Sequence, residues 1–297
     1  MVRLENLSKR FRGRQALEPL TLEIPRGEIV GLLGHNGAGK STTFGMILGQ
    51  VHPSTGEVFV EGASVQRERA RALARVGAIF ETPSFYTYLS GWTNLRIFAA
   101  YSAKVDRAEL EAAVRLVGME KRIHDPVSVY SHGMRQRLAL AQALVPAPSF
   151  LLLDEPTEGL DPEGIHEMRN LILRLREERG MTVLLASHLL AEVEHLCDRV
   201  AVLKMGRLLF SGRWQDTLSP RVYRIVCADM ARANEVIARC GLSLVGEGTY
   251  AVPSELDPAA LLEALVGARA GVTEFAPERP SLEAFYLSVS AAEGAGR

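Results

Sequence analysis

Over residues 1–215, short unbroken apolar runs take turns with stretches whose apolar residues return every three or four positions. The runs suit strands buried on both faces, and the wider spacing suits helices with one buried side. Strands are predicted at Glu28 to Leu33, Glu57 to Val60, Val76 to Phe80, Phe150 to Leu153, Thr182 to Ala186 and Val200 to Leu203. Helices are predicted from Lys40 to about Leu48, Trp92 to Ala103, Arg107 to Val117, Met134 to Leu144 and near Leu190. Another starts at Pro162 and stops at Gly180, the usual polarity of these two residues around a helix. Strands and helices in alternation predict an α/β domain on a largely parallel sheet.

The pattern changes after Trp214. Lys thins out, and Ser219-Pro220 reads as a linker. Residues 221–297 then read strand, helix, strand, strand, helix, strand and a terminal helix from Ser281, an order that predicts a small α+β, ferredoxin-like domain. A net charge of −1, from 34 Lys plus Arg against 35 Asp plus Glu, gives no basic surplus for nucleic acid. The longest uncharged stretches are broken by proline and polar residues and fall short of the roughly 20 apolar residues of a membrane span. The charged start, MVRLENLSKRF, does not suit a signal peptide. Three cysteines without metal-type spacing suit a reducing compartment. A soluble, cytosolic protein is expected.

Candidate chemistry begins at Gly34 to Ser41, GHNGAGKS, which follows an apolar strand and opens a helix. Glycines let backbone N–H groups turn inward around phosphate oxygens, and the helix N-terminus adds positive charge. Gly34, Asn36, Gly37, Gly39, Lys40, Ser41 and Thr42 are the expected nucleotide contacts. Lys40 would reach the β and γ phosphates, and Ser41 would offer its hydroxyl to Mg²⁺. The apolar strand FLLLDE supplies Asp154 as a metal anchor and Glu155 as the base that polarises water. No N/T-K-x-D guanine-reading tetrapeptide occurs, which counts against GTP.

Tyr130 to Arg137, YSHGMRQR, then resembles the leucine-serine-glycine-glycine-glutamine signature of ABC transporters. Ser131 and Gly133 match it; Tyr130, His132 and Met134 depart from its leucine, first glycine and glutamine. Glu158-Gly159-Leu160-Asp161 resembles the family's D-loop, His188 its switch histidine, Phe11 its adenine-stacking aromatic and Glu81 its Q-loop glutamine. This resemblance implies a P-loop ATPase fold with a helical subdomain, taking ATP and Mg²⁺. It implies Glu155, His188 and Glu81 as catalytic, Ser41, Asp154 and Glu81 at the metal, and Phe11, Ser131, Gly133 and Asp161 on nucleotide. It also implies a homodimer with two ATP sandwiched head to tail. A side chain at position 132, where the family has glycine, is expected either to crowd the γ-phosphate, the favoured reading, or to attract it as a protonated imidazole.

Glu81-Thr-Pro-Ser-Phe-Tyr and the tail Pro280 to Val289 are similar to the bacitracin- and daunorubicin-resistance type of ABC-2 exporter ATPase. That implies a separate integral-membrane permease, met through the Glu81 to Tyr88 region with Phe85, Tyr86 and Tyr88 as anchors. The subunit would sit on the inner face of the cell membrane. An envelope-assembly machine that moves no solute would have the same cassette. A nucleic-acid or ribosome-associated ABC ATPase is disfavoured, because Lys40 to Ser131 holds no heptad run or cysteine pair and there is one phosphate loop.

Overall fold

The computed structural model describes residues 1–292 apart from 81–82, 103–104, 146, 218–221, 247, 254 and 278–280. The described chain forms two compact units, Met1–Arg213 with the described residues from Val289 on, and Trp214–Ser288.

The first unit opens with a long hairpin, β1 (Val2–Phe11) and β2 (Arg14–Ile24). After β3 (Ile29–Leu33) and α1 (Lys40–Ile47) come β4 (Thr55–Val60), β5 (Ala63–Ser64) and α2 (Arg69–Leu73). The antiparallel sheet β2-β1-β4-β5 is an addition to the predicted architecture. Val2 and Leu4 alternate with exposed Arg3 and Glu5, as a half-buried strand requires, but register shifts after Leu4, Leu7 and Lys9 break the period.

β6 (Val76–Ile79) is followed by helices α3 (Gly91–Ser102), α4 (Arg107–Leu116) and α5 (His132–Leu144). Then come β7 (Phe150–Asp154), α6 (Pro162–Arg179), β8 (Thr182–Ala186), α7 (Leu190–Leu196), β9 (Arg199–Lys204) and β10 (Arg207–Gly212). The second sheet runs β10-β9-β3-β8-β7-β6, parallel except for β10. Its central strands β3 and β8 are buried at every position, which explains their unbroken apolar sequence.

One core joins both sheets through α1. Leu4, Leu20 and Leu22 of the antiparallel sheet and Leu152, Leu184 and Leu203 of the parallel sheet share a cluster with Phe44, Met46 and Ile47. The helix that starts at the glycine-rich loop is therefore anchored on both layers.

In the second unit, β11 (Val222–Cys227), α8 (Met230–Arg239), β12 (Ser243–Gly246), β13 (Thr249–Ala251), α9 (Pro258–Gly267) and β14 (Val272–Pro277) follow the predicted order. Their sheet is antiparallel, β12-β13-β11-β14, as a split βαβ pair demands. Ile225, Tyr250, Val236 and Leu261 share its core. A last helix, α10, spans Leu282–Ala292, and the expected linker at Ser219-Pro220 lies outside the described residues.

Phe44 is 1% exposed at the junction of the two sheets. Phe44→Ala is expected to destabilise the first unit by about 3–5 kcal/mol, read as a lowered urea midpoint of the full chain.

Candidate active site

Ala186 of β8 pairs with Leu32 of β3 on one side and with Asp154 of β7 on the other. The chain segments leaving these three strands therefore emerge along one edge, the carboxyl edge where open α/β sheets bind ligands. β3 delivers the glycine-rich loop, β7 delivers Glu155, and β8 delivers His188.

The loop fits a polyphosphate. A Cβ on Gly34 would stand 2.5 Å from the Leu203 carbonyl oxygen and 2.7 Å from the Ala38 Cβ, so only glycine passes there. Gly39, at φ +111°, leads directly into α1, whose first-turn amides face outward from the helix end. Lys40 is 8% exposed and donates to the Gly34 carbonyl at 2.5 Å, a neutral partner that leaves its charge available to an anion. Asn36, Gly37 and Ser41 are exposed and Thr42 is half-buried. A glycine cradle, a buried ammonium, a free-standing Ser41 hydroxyl and the Asp154 carboxylate form a donor set suited to a magnesium-bound nucleotide.

Glu155 is 7% exposed and has φ +48°, with its amide donating to the Ala186 carbonyl at 2.9 Å. Its Oε2 lies 2.9 Å from His188 Nδ1 and accepts the His188 backbone N–H at 3.3 Å. Glu158 completes this group: its carboxylate and the ligand atoms of Glu155 and His188 all lie within 4.8 Å of one another. Its role there has no signal in the sequence beyond its D-loop position. Phe11 is 45% exposed, with the Lys9 ammonium 4.8 Å from its ring centroid. The same hairpin reaches the phosphate loop, because a Cβ on Gly39 would meet the Ala16 carbonyl at 3.2 Å.

Ser131, Gly133 and Asp161 lie elsewhere. They line a cavity of about 480 Å³ whose walls include His132, Gly159 and Leu160 but none of Gly34 to Thr42, Asp154, Glu155 or His188. Ser131 caps α5 by accepting the Met134 N–H at 3.2 Å, and Asp161 caps α6 by accepting the Gly164 N–H at 2.9 Å. Tyr130, which stands for the signature's leucine, is 4% exposed and donates its hydroxyl to the Arg122 carbonyl at 2.7 Å. Burial, with Asp125 nearby, pushes its phenol above the usual tyrosine range. Glu81 lies outside the described residues.

A family model described as ABC transporter matches residues 17–158. An ABC transporter ATP-binding protein of Bacillus subtilis, YhcH, is 47% identical over 70% of this chain and 68% of its own length. The chain belongs to the ABC transporter ATPase family. The bacitracin transport ATP-binding protein of Enterococcus faecalis is 39% identical over 70% of this chain and 68% of that protein. A solved ATP-binding subunit of an ABC transporter superposes with a TM-score of 0.66 at 31% identity, covering 73% of this chain and 91% of that one.

The cassette's aromatic segment is held by one buried amide. Asn94, 0% exposed on α3, accepts the Tyr86 N–H at 2.8 Å and donates to the carbonyls of Tyr86 and Ser90, both at 3.0 Å. Phe85 and Tyr86 both meet Phe98, with centroids 6.1 and 6.3 Å away, and Tyr88 is 76% exposed. Asn94→Ala leaves the Tyr86 N–H without its partner, while the Tyr86 and Ser90 carbonyls keep the Leu89 and Asn94 backbone N–H groups, at a cost of about 1–3 kcal/mol. The expected outcome is faster proteolytic cleavage around Tyr86 to Ser90, mapped by mass spectrometry.

Proposed function

We propose that this chain hydrolyses ATP as the soluble subunit of an export-type ABC transporter, working as a homodimer beneath a separate membrane permease. The observation that carries this reading is the division of the expected nucleotide contacts. The phosphate loop, Glu155 and His188 share one sheet edge, while Ser131, Gly133 and Asp161 line a different cavity. One chain thus offers two half-sites, and two chains head to tail bring each phosphate loop against a partner's signature turn, a closed two-fold arrangement.

Within a half-site, loop amides and Lys40 hold the β and γ phosphates, and Phe11 stacks on the adenine. Mg²⁺, held by Ser41 and Asp154 with Glu81 as a further candidate, would neutralise charge on the transferring phosphoryl group. Glu155 orients a water for attack on the γ-phosphorus and takes its proton as the bond to the leaving ADP oxygen breaks. His188, 2.9 Å from the Glu155 carboxylate, would meet the γ-phosphate of bound ATP. Across the interface, Ser131 and the first amides of α5 receive the same phosphate.

The bacitracin transport relative supports export as the work done. Among the described residues no helix is long and apolar enough to cross a membrane. The exposed rings of Tyr86 and Tyr88, with Phe85 behind them, are the proposed anchors for a permease helix, and they hold the subunit at the inner membrane face.

Lys40→Ala is expected to abolish turnover. Glu155→Gln should slow it about 10²- to 10⁴-fold and accumulate an ATP-bound dimer on gel filtration. A Glu155→Gln chain that stays monomeric at saturating ATP refutes the sandwich. A photocrosslinker at Tyr88 should capture the permease in membranes, and absence of any crosslink from 85–88 refutes the docking assignment.

A further inference from the structure

His132 is the first residue of α5, and its imidazole lies against the Glu158 to Asp161 loop of its own chain. A Cβ built on Gly159 would stand 3.4 Å from Nε2, 3.5 Å from Cδ2 and 3.8 Å from Cε1 of that ring. Three ring atoms therefore lie in van der Waals range of the side-chain position of residue 159. Gly159 has φ +71°, a conformation that favours glycine, so the backbone itself keeps this position free of a side chain and open to the ring. One residue on, the signature turn meets the loop again. A Cβ on Gly133 would lie 3.6 Å from the Leu160 Cδ2.

Both sides of this contact are fixed from behind. The buried, hydrogen-bonded Tyr130 and the Ser131 cap set the direction in which α5 starts. On the other side the Glu158 N–H donates to the Glu155 carbonyl at 3.1 Å, and the Leu160 N–H donates to the Thr157 carbonyl at 3.3 Å. The loop thus runs without a break from the Glu155 and His188 pair to the Asp161 cap. Gly159 is its least restrained point in side-chain terms, and that is where the ring rests.

We infer that His132 is a positioning residue, a clasp whose ring holds the signature turn and the Glu158 to Asp161 loop as one body. Its consequence for turnover rests on the proposed ATP sandwich. When a partner's phosphate enters the signature turn, the clasp passes that docking to the segment carrying Glu158 and Glu155. Within its own chain the ring expected to face the phosphate has a partner in Gly159. Packing, not charge, makes the contact, so an aromatic ring of similar size should keep it.

The test uses the full chain as wild type, His132→Ala and His132→Phe. Hydrogen exchange without nucleotide should show the amides of residues 158–161 exchanging about tenfold faster in His132→Ala, with His132→Phe close to wild type. Steady-state ATPase should show kcat reduced about tenfold in His132→Ala at unchanged KM, and largely restored in His132→Phe. Unchanged exchange in His132→Ala overturns the clasp. Faster exchange with an unchanged kcat overturns its positioning role, and His132→Phe behaving as His132→Ala overturns the packing basis. The exchange measurement needs neither nucleotide nor a second chain. A missing Glu155→Gln dimer would therefore sink the sandwich separately, while exchange still decides the clasp.

Discussion

The pairing of Ala186 with both Leu32 and Asp154 fixes where everything else at the site can be. Parallel strands in register end together, so a loop of glycines, an acidic turn and a histidine turn open on one edge without long excursions. A single-residue slip of β7 against β8 would turn Asp154 and Glu155 to opposite faces, because side chains alternate along a strand. Leu151, Leu152 and Leu153 are fully enclosed, so burial on both faces holds the strand that carries the carboxylates inside the sheet. The apolar core sets the position of the carboxylates, and the carboxylates do little to set their own.

Local cost is concentrated on the same edge. Glu155 holds a left-handed backbone that costs on the order of 1–3 kcal/mol for a residue with a Cβ. Its amide bond to the Ala186 carbonyl and the histidine beside its carboxylate hold it there. A relaxed turn would swing the carboxylate away from the edge. The strained backbone therefore keeps an acidic group nearly enclosed beside His188 on the same sheet edge from which the glycine-rich loop and Lys40 emerge.

Legibility in the sequence followed the range of the interactions. The glycine-rich loop, the acidic strand end and the helix start at Pro162 are written in contiguous residues, and each lands where local chemistry places it, while α5 begins at His132, two residues before the predicted Met134. The α+β order of the second unit is equally readable, since its hairpin and two capped helices are local devices. The β1–β2 hairpin is not: its bulges shift the alternation, and its apolar side chains find partners in β4 and α1, many residues away. Asn94 is invisible for the same reason. An asparagine inside a helical pattern reads as surface, and only the folded loop shows that its amide satisfies three backbone groups at once.

The departures of YSHGMRQR from the family signature sort by what each position does. Tyr130 replaces a leucine with another apolar body and adds a hydroxyl, which finds a carbonyl inside the protein, so the core function survives. Ser131 keeps the cap, which consumes the Met134 amide and leaves the earlier amides of α5 for an outside acceptor. His132 sits between these two constraints at the first helical position, where the side chain is directed off the helix end. A ring there must find a surface, and Gly159 is the surface that its own chain provides. The start of α5 and the acidic loop thus meet through a contact that a glycine at 132 could not make.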